Sequence, residues 1–237
     1  MLIESLWDCH RGEDIVILGS GPSARCVDRS FFDGRTVIGL NQAYRLLDPT
    51  YSITVHPELY LEWRRGHRHQ KTRWIVKRKN PMADLPFDDP LLYVFETNAG
   101  DNPNDFQFLK ERTPNKLYQG RGVQVTAMCL AVHMGARSIM MVGCDMCQIG
   151  PDHHGVNQHV RFNGLSSREV YAEYRRFTAK VRRIIREDYQ IPVVTLSPFV
   201  GIGHSEEDYA RLQEELKLPA LPPAQDTSKY KRDKTDQ

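Results

Sequence analysis

The sequence predicts an α/β fold: a single Rossmann-like, doubly wound domain around a mostly parallel sheet, with a lid segment. Three observations carry this. Five short runs are almost continuously apolar, as strands buried on both faces of a parallel sheet must be. Helical patterns lie between the strand runs, which is the alternation of a doubly wound fold. Each strand run also ends in a small or polar residue, and in such folds ligands bind outside the carboxyl ends of the strands.

The runs come in order along the chain. Residues 14–20 (DIVILGS) end in a glycine loop, 35–41 (RTVIGLN) at Asn41, and 51–57 (YSITVHP) at His56 and Pro57. Residues 138–145 (SIMMVGCD) end at Asp145, and 192–198 (PVVTLSP) at Ser197. Two weaker strand patterns cover 73–78 and 91–97. Residues 122–135 (GVQVTAMCLAVHMG) are apolar nearly all round and stop at a glycine, as a buried helix would. Residues 166–189 open with Ser166 and Glu169 at capping-box spacing. Val170, Tyr174, Phe177, Val181 and Ile184 then recur at three and four, opposite an Arg/Lys-rich face.

Composition bounds the function. The chain has 237 residues and a net charge of +2, with 40% of residues hydrophobic, enough for one substantial core. No run approaches the ~18 apolar residues of a membrane helix. The opening MLIESLWDCHRGED lacks the pattern of a secretory signal. Five scattered cysteines suit free thiols in a reducing compartment, so a cytoplasmic protein is expected. Charge is uneven. Residues 64–79 (RRGHRHQKTRWIVKRK) hold eight Lys/Arg, two His and no acid. Such a run suits either a solvated face or an anionic partner, a glycan or nucleic acid. Residues 1–217 are expected to form the domain. Residues 218–237, proline-rich and then charged, are expected to be a disordered basic tail.

The glycine loop, Gly19, Ser20, Gly21, Pro22, Ser23, raises the first chemical question. Glycines permit a sharp turn and close approach of a ligand, and Pro22 suits the first turn of a helix. A helix starting there would direct its dipole and N–H groups at an anion; a tight β–α turn would also need the glycines. The dinucleotide pattern requires an acid at the end of the second strand to hold the ribose, and that place is Asn41. No Gly-Lys-Ser/Thr comes after the loop, so a P-loop is excluded as well. A mononucleotide or sugar-nucleotide site is the expectation that survives.

The stretches VILGSGPSARCVD, GLNQAYRL, VHPELYLEW and AMCLAVHMGARSIMMVGCDMCQIG resemble, in order and spacing, the bacterial lipooligosaccharide sialyltransferases of glycosyltransferase family 42. The wider group with the G-x-G-P-S loop includes hydroxymethylpterin pyrophosphokinases and motility-associated glycosyltransferases. The resemblance covers about 14–57 and 120–200. It implies a nucleotide-sugar donor with no cofactor or metal, held by the 19–23 loop, Asn41, Gln42, His56, Gly122 and Asp145. Arg121 is the nearest match to an arginine before the buried helix. Two tyrosines that assist the departing phosphate in that family correspond to Cys147 and His153, which points away from sialic acid as the donor sugar.

The polar segment 152–164 (DHHGVNQHVRFNG) falls where the resemblance places a lid, about 147–165, carrying a catalytic histidine. Histidine titrates near neutrality and suits a general base. His159 is the first candidate, with His154 and His153 beside it. Two other readings stand open: a divalent-metal set built from Asp145, Asp152 and the histidines, and an exposed loop. Cys144 and Cys147 form a C-x-x-C pair that lacks the helix N-terminus of a redox motif, so a structural role is expected. The functional expectation is transfer of a sugar from a nucleotide donor to a hydroxyl acceptor, a glycan or a modified nucleic acid held through 64–79. A homo-oligomer is allowed. The alternatives are an ATP- and Mg2+-dependent pterin-type pyrophosphokinase and a non-catalytic nucleotide- or nucleic-acid-binding module.

Overall fold

The computed structural model describes residues 1–66, 71–78, 85–98, 114–120, 122–146 and 167–196. Eight strands form one sheet: β1 (Asp14–Leu18), β2 (Thr36–Leu40), β3 (Tyr51–Thr54), β4 (Arg73–Lys77), β5 (Leu92–Asn98), β6 (Lys116–Tyr118), β7 (Ser138–Val142) and β8 (Val193–Leu196). Their order is β6-β5-β4-β3-β2-β1-β7-β8, and every pairing is parallel. The chain thus winds outward from β1 to β6, then returns to lay β7 on the other side of β1. That places the topological switch point between β1 and β7, where open α/β sheets bind ligands.

Period-two alternation assigns each strand residue to a face. Ile15, Ile17, Ile38, Ile53, Ile75, Ile139 and Met141 meet α2 (Val123–His133) and α3 (Ser167–Tyr189). Val16, Leu18, Val37, Met140 and Val142 meet Val27, Phe31 and Phe32 of the β1–β2 connection. Trp74, Val76, Leu92 and Val94 meet Tyr60 and Trp63 of α1 (Pro57–Gly66). α2 is apolar all round because it lies under the sheet and is itself covered by α3. Residues 124–131 of it are all buried.

Three elements depart from the sequence pattern. α1 carries too many charges to announce itself, yet Pro57 suits its first turn, and Tyr60 and Trp63 bury one stripe. β6 is three residues long, too short for a periodic signal. The expected α-helix after the glycine loop is a five-residue 3-10 helix, Pro22–Cys26.

The described residues of the basic run 64–79 do not form one patch. α1 descends from the carboxyl rim and β4 climbs back to it. Arg64, Arg65, Lys71 and Arg73 therefore lie at the amino-terminal end of the strands, and Lys77 and Arg78 at the rim. Arg73 donates to the Tyr51 hydroxyl (3.1 Å), whose pKa burial pushes up to about 12. His10 joins the same hydroxyl at 3.0 Å. Lys77 Nζ donates to Gln119 Oε1 at 2.6 Å.

Candidate functional site

The loops after β1 and β7 close on each other at the switch point. Gly19 N–H donates to Val142 O (2.7 Å) and Gly21 N–H to Gly143 O (2.8 Å), extending the β1–β7 ladder past the strands. Ser23 completes the clasp. Its N–H donates to Asp145 Oδ2 at 2.8 Å, and its hydroxyl donates to Asp145 Oδ1. Asp145 is 2% exposed and Ser23 fully buried. A buried carboxylate needs such donors, since leaving it unpaired is costly.

The glycines are required by this closeness. A β-carbon on Gly21 would stand 2.5 Å from Asp145 Oδ2 and 2.6 Å from Gly143 O. One on Gly143, whose φ is +65°, would stand 2.5 Å from Gly19 O. Gly19 is blocked by the Gly143 carbonyl in turn. Neighbouring Cys144 is buried just past β7, and desolvation drives its thiol pKa well above the ordinary value. It packs in the core behind the loop, while Cys147, the other half of the C-x-x-C pair, lies outside the described residues.

The tips of β2 and β3 stand beside the clasp. Asn41 adopts a left-handed φ of +50°, which asparagine tolerates better than most residues. Its Oδ1 accepts from the Thr54 hydroxyl at 2.9 Å, and that hydroxyl accepts the His56 N–H at 3.0 Å. One hydroxyl thus ties both tips and leaves the Asn41 amide NH2 outside that bond. Gln42 turns inward, 3% exposed, and its Oε1 has no hydrogen-bond partner among the described residues. His56 is exposed, with its Nδ1 3.2 Å from Glu58 Oε1.

α2 begins at the same rim. Gly122 precedes it at φ +89° and no side chain among the described residues caps the helix. A β-carbon on Gly122 would collide with the Gln124 amide, and Gln124 Nε2 donates to Thr178 of α3 at 3.4 Å. Arg175 of α3 donates to Met146 O at 2.8 Å, fixing the chain just past Asp145.

The structure therefore gathers Gly19, Ser20, Gly21, Pro22, Ser23, Asn41, Gln42, His56, Gly122 and Asp145 on the carboxyl rim. Arg121, Cys147, Asp152, His153, His154, His159 and Ser197 lie outside the described residues, as do the 147–165 segment and 218–237. Sequence reasoning missed Thr54, Gly143 and Arg175. Only Gly143, just before the Cys144–Asp145 pair, carries a signal of its own. Among the described residues, no three His, Cys, Asp or Glu side chains are grouped as metal ligands would be. No described helix is long and apolar enough to cross a membrane.

No family model matches this chain, and no curated protein matches it. Solved structures do. The sialyltransferase CST-II in complex with a trisaccharide acceptor and CMP is similar over 85% of this chain and 99% of its own, at 15% identity and TM-score 0.51. CstII from Campylobacter jejuni, in complex with the substrate analogue CMP-3FNeuAc, covers 78% of this chain and 82% of its own, at 14% identity and TM-score 0.49. A MAf glycosyltransferase from Magnetospirillum magneticum AMB-1 covers 66% of this chain and 29% of its own, at 17% identity and TM-score 0.41. The parallel α/β fold is thus one that this chain shares with the sialyltransferase CST-II.

Proposed function

We propose that the chain is a glycosyltransferase that moves a sugar from a nucleotide-sugar donor to a hydroxyl acceptor. The observation that carries the reading is the gathering of the 19–23 loop, Asn41, Gln42 and Asp145 at the β1–β7 switch point, the ligand edge of such sheets. The shared fold supports it, since CST-II is recorded with CMP and a trisaccharide acceptor. In this reading residues 1–217 form the catalytic domain and 147–165 its lid. Gly122 and His56 flank the donor, and Arg121 neutralises the leaving phosphate. Lys77 and Arg78, the part of the basic run carried to the rim, meet an anionic acceptor. A lid histidine, His159 before His154 and His153, takes the acceptor proton as the hydroxyl oxygen attacks the anomeric carbon. The C–O bond to the nucleotide breaks on the opposite side, so a single base with no nucleophile inverts the anomeric centre. The donor supplies the leaving group and no cofactor is consumed.

A thermal-shift screen of CMP-, UDP-, GDP- and ADP-sugars and ATP tests this. One sugar nucleotide at about 100 Kd is expected to raise the midpoint by about 5–10 °C. No shift with any of them would defeat the reading, and a shift with ATP and Mg2+ alone would favour phosphoryl transfer. With the donor known, His159→Ala is expected to lower turnover about 10²–10⁴-fold while the donor-induced shift persists. Undiminished turnover would move the base to another residue.

A further inference from the structure

Building on the nucleotide-sugar reading of this site, we infer that the 19–23 loop receives the uncharged, hydroxyl-bearing nucleoside part of the donor, not its phosphate. Asp145 is the positioning residue that enforces this.

Most backbone donors of the loop are already engaged. The N–H groups of Gly19 and Gly21 bond the β7 loop, that of Ser23 bonds Asp145, and that of Ala24 bonds Gly21 O. Pro22 has none. A phosphate cradle needs converging backbone N–H groups, and here they converge on protein. The Ser23 hydroxyl is likewise committed to Asp145. The loop leads into a five-residue 3-10 helix, too short to supply a useful dipole.

Charge points the same way. The Asp145 carboxylate lies directly behind the loop, within 2.8 Å of Ser23 N. A phosphate seated on that loop would face this buried like charge, which disfavours its binding. A ribose or base brings no such repulsion. The clasp additionally closes the gap between the β1 and β7 tips.

The test is calorimetric titration of the four ribonucleoside 5′-monophosphates and their nucleosides into the wild-type chain, Asp145→Asn and Ser23→Ala. Asp145→Asn keeps an acceptor for Ser23 and removes the charge. The proposal expects the matching nucleoside to bind the wild-type chain measurably. It expects each variant to weaken nucleoside and monophosphate by the same factor, so that the ratio of their Kd values moves less than about twofold. A tenfold or larger gain for the monophosphate alone in Asp145→Asn would overturn it, because the phosphate would then border the carboxylate. A tenfold selective loss for the monophosphate in either variant would overturn it too, as would a nucleoside that fails to bind the wild-type chain when its monophosphate does. If Asp145→Asn does not fold, Ser23→Ala alone decides by the same ratio. If no monophosphate or nucleoside binds the wild-type chain, the nucleotide-sugar reading itself fails and this one falls with it. That outcome is distinct from a shifted ratio.

Discussion

Gly21→Val is expected to abolish nucleotide binding and to lower stability. The added β-carbon would stand 2.5 Å from Asp145 Oδ2 and 2.6 Å from the Gly143 carbonyl. One obstacle is a buried carboxylate anchored by two bonds and the other is backbone, so neither yields easily. Relief would separate the β1 and β7 loops and break the Ser23–Asp145 bonds. Overpacking of this kind costs about 1–3 kcal/mol, and freeing a buried carboxylate adds to it. The expected result is no calorimetric heat with the donor found by screening, and a thermal midpoint lower by several degrees. Gly66→Ala is the control: nothing lies within 4 Å of the added carbon, and stability should change by no more than about 0.5 kcal/mol. Unchanged donor affinity in Gly21→Val would mean that the clasp has no part in binding.

Trp74→Ala is expected to produce the largest loss of stability among core substitutions. Trp74 is fully buried on β4, with its ring 5.5 Å from Tyr44, 5.6 Å from Trp63 and 5.9 Å from Tyr60. The four rings join α1, β4 and the turn after β2. Removing the central one should cost about 3–5 kcal/mol, read as a lower urea midpoint with unchanged slope. Trp74→Phe is expected to cost less than about 1.5 kcal/mol, since the indole N–H it removes has no acceptor among the described residues. A loss below about 1 kcal/mol for the alanine variant would show that α1 docks without this cluster.

Much of the architecture is written locally, and the site is not. β1, β2, β3, β7 and β8 are readable because strands buried on both faces must be apolar throughout, and α2 because it is buried between the sheet and α3 and is mostly apolar all round. Asn41 in place of an acid is what turns the sequence reading away from a dinucleotide. The features that fail to show are those that depend on a distant partner. The glycines at 19 and 21 look like a phosphate loop, yet their tightest constraint is the backbone at Gly143, more than a hundred residues on. Asp145 looks like a ligand-facing acid until its two oxygens are found on Ser23. The basic run looks like one surface until α1 and β4 carry its halves to opposite ends of the strands. α1 itself is hidden by the charges that surround its narrow apolar stripe.

The position of β1 in the sheet also sets an order of events in time. Its pairing with β2 joins residues about twenty apart, so that edge can zip early. Its other edge waits for β7, with Ile15 opposite Ile139 and Leu18 opposite Val142. Loops of that length close slowly, and parallel pairing of high contact order is slow in turn. During synthesis the emerging chain therefore carries β1 with one unpaired edge until β7 leaves the ribosome, a template for mispairing with another chain. The clasp forms only when that edge is covered. Completion of the rim thus coincides with removal of the main aggregation hazard, and chains terminated before residue 138 should lack the clasp and be prone to associate.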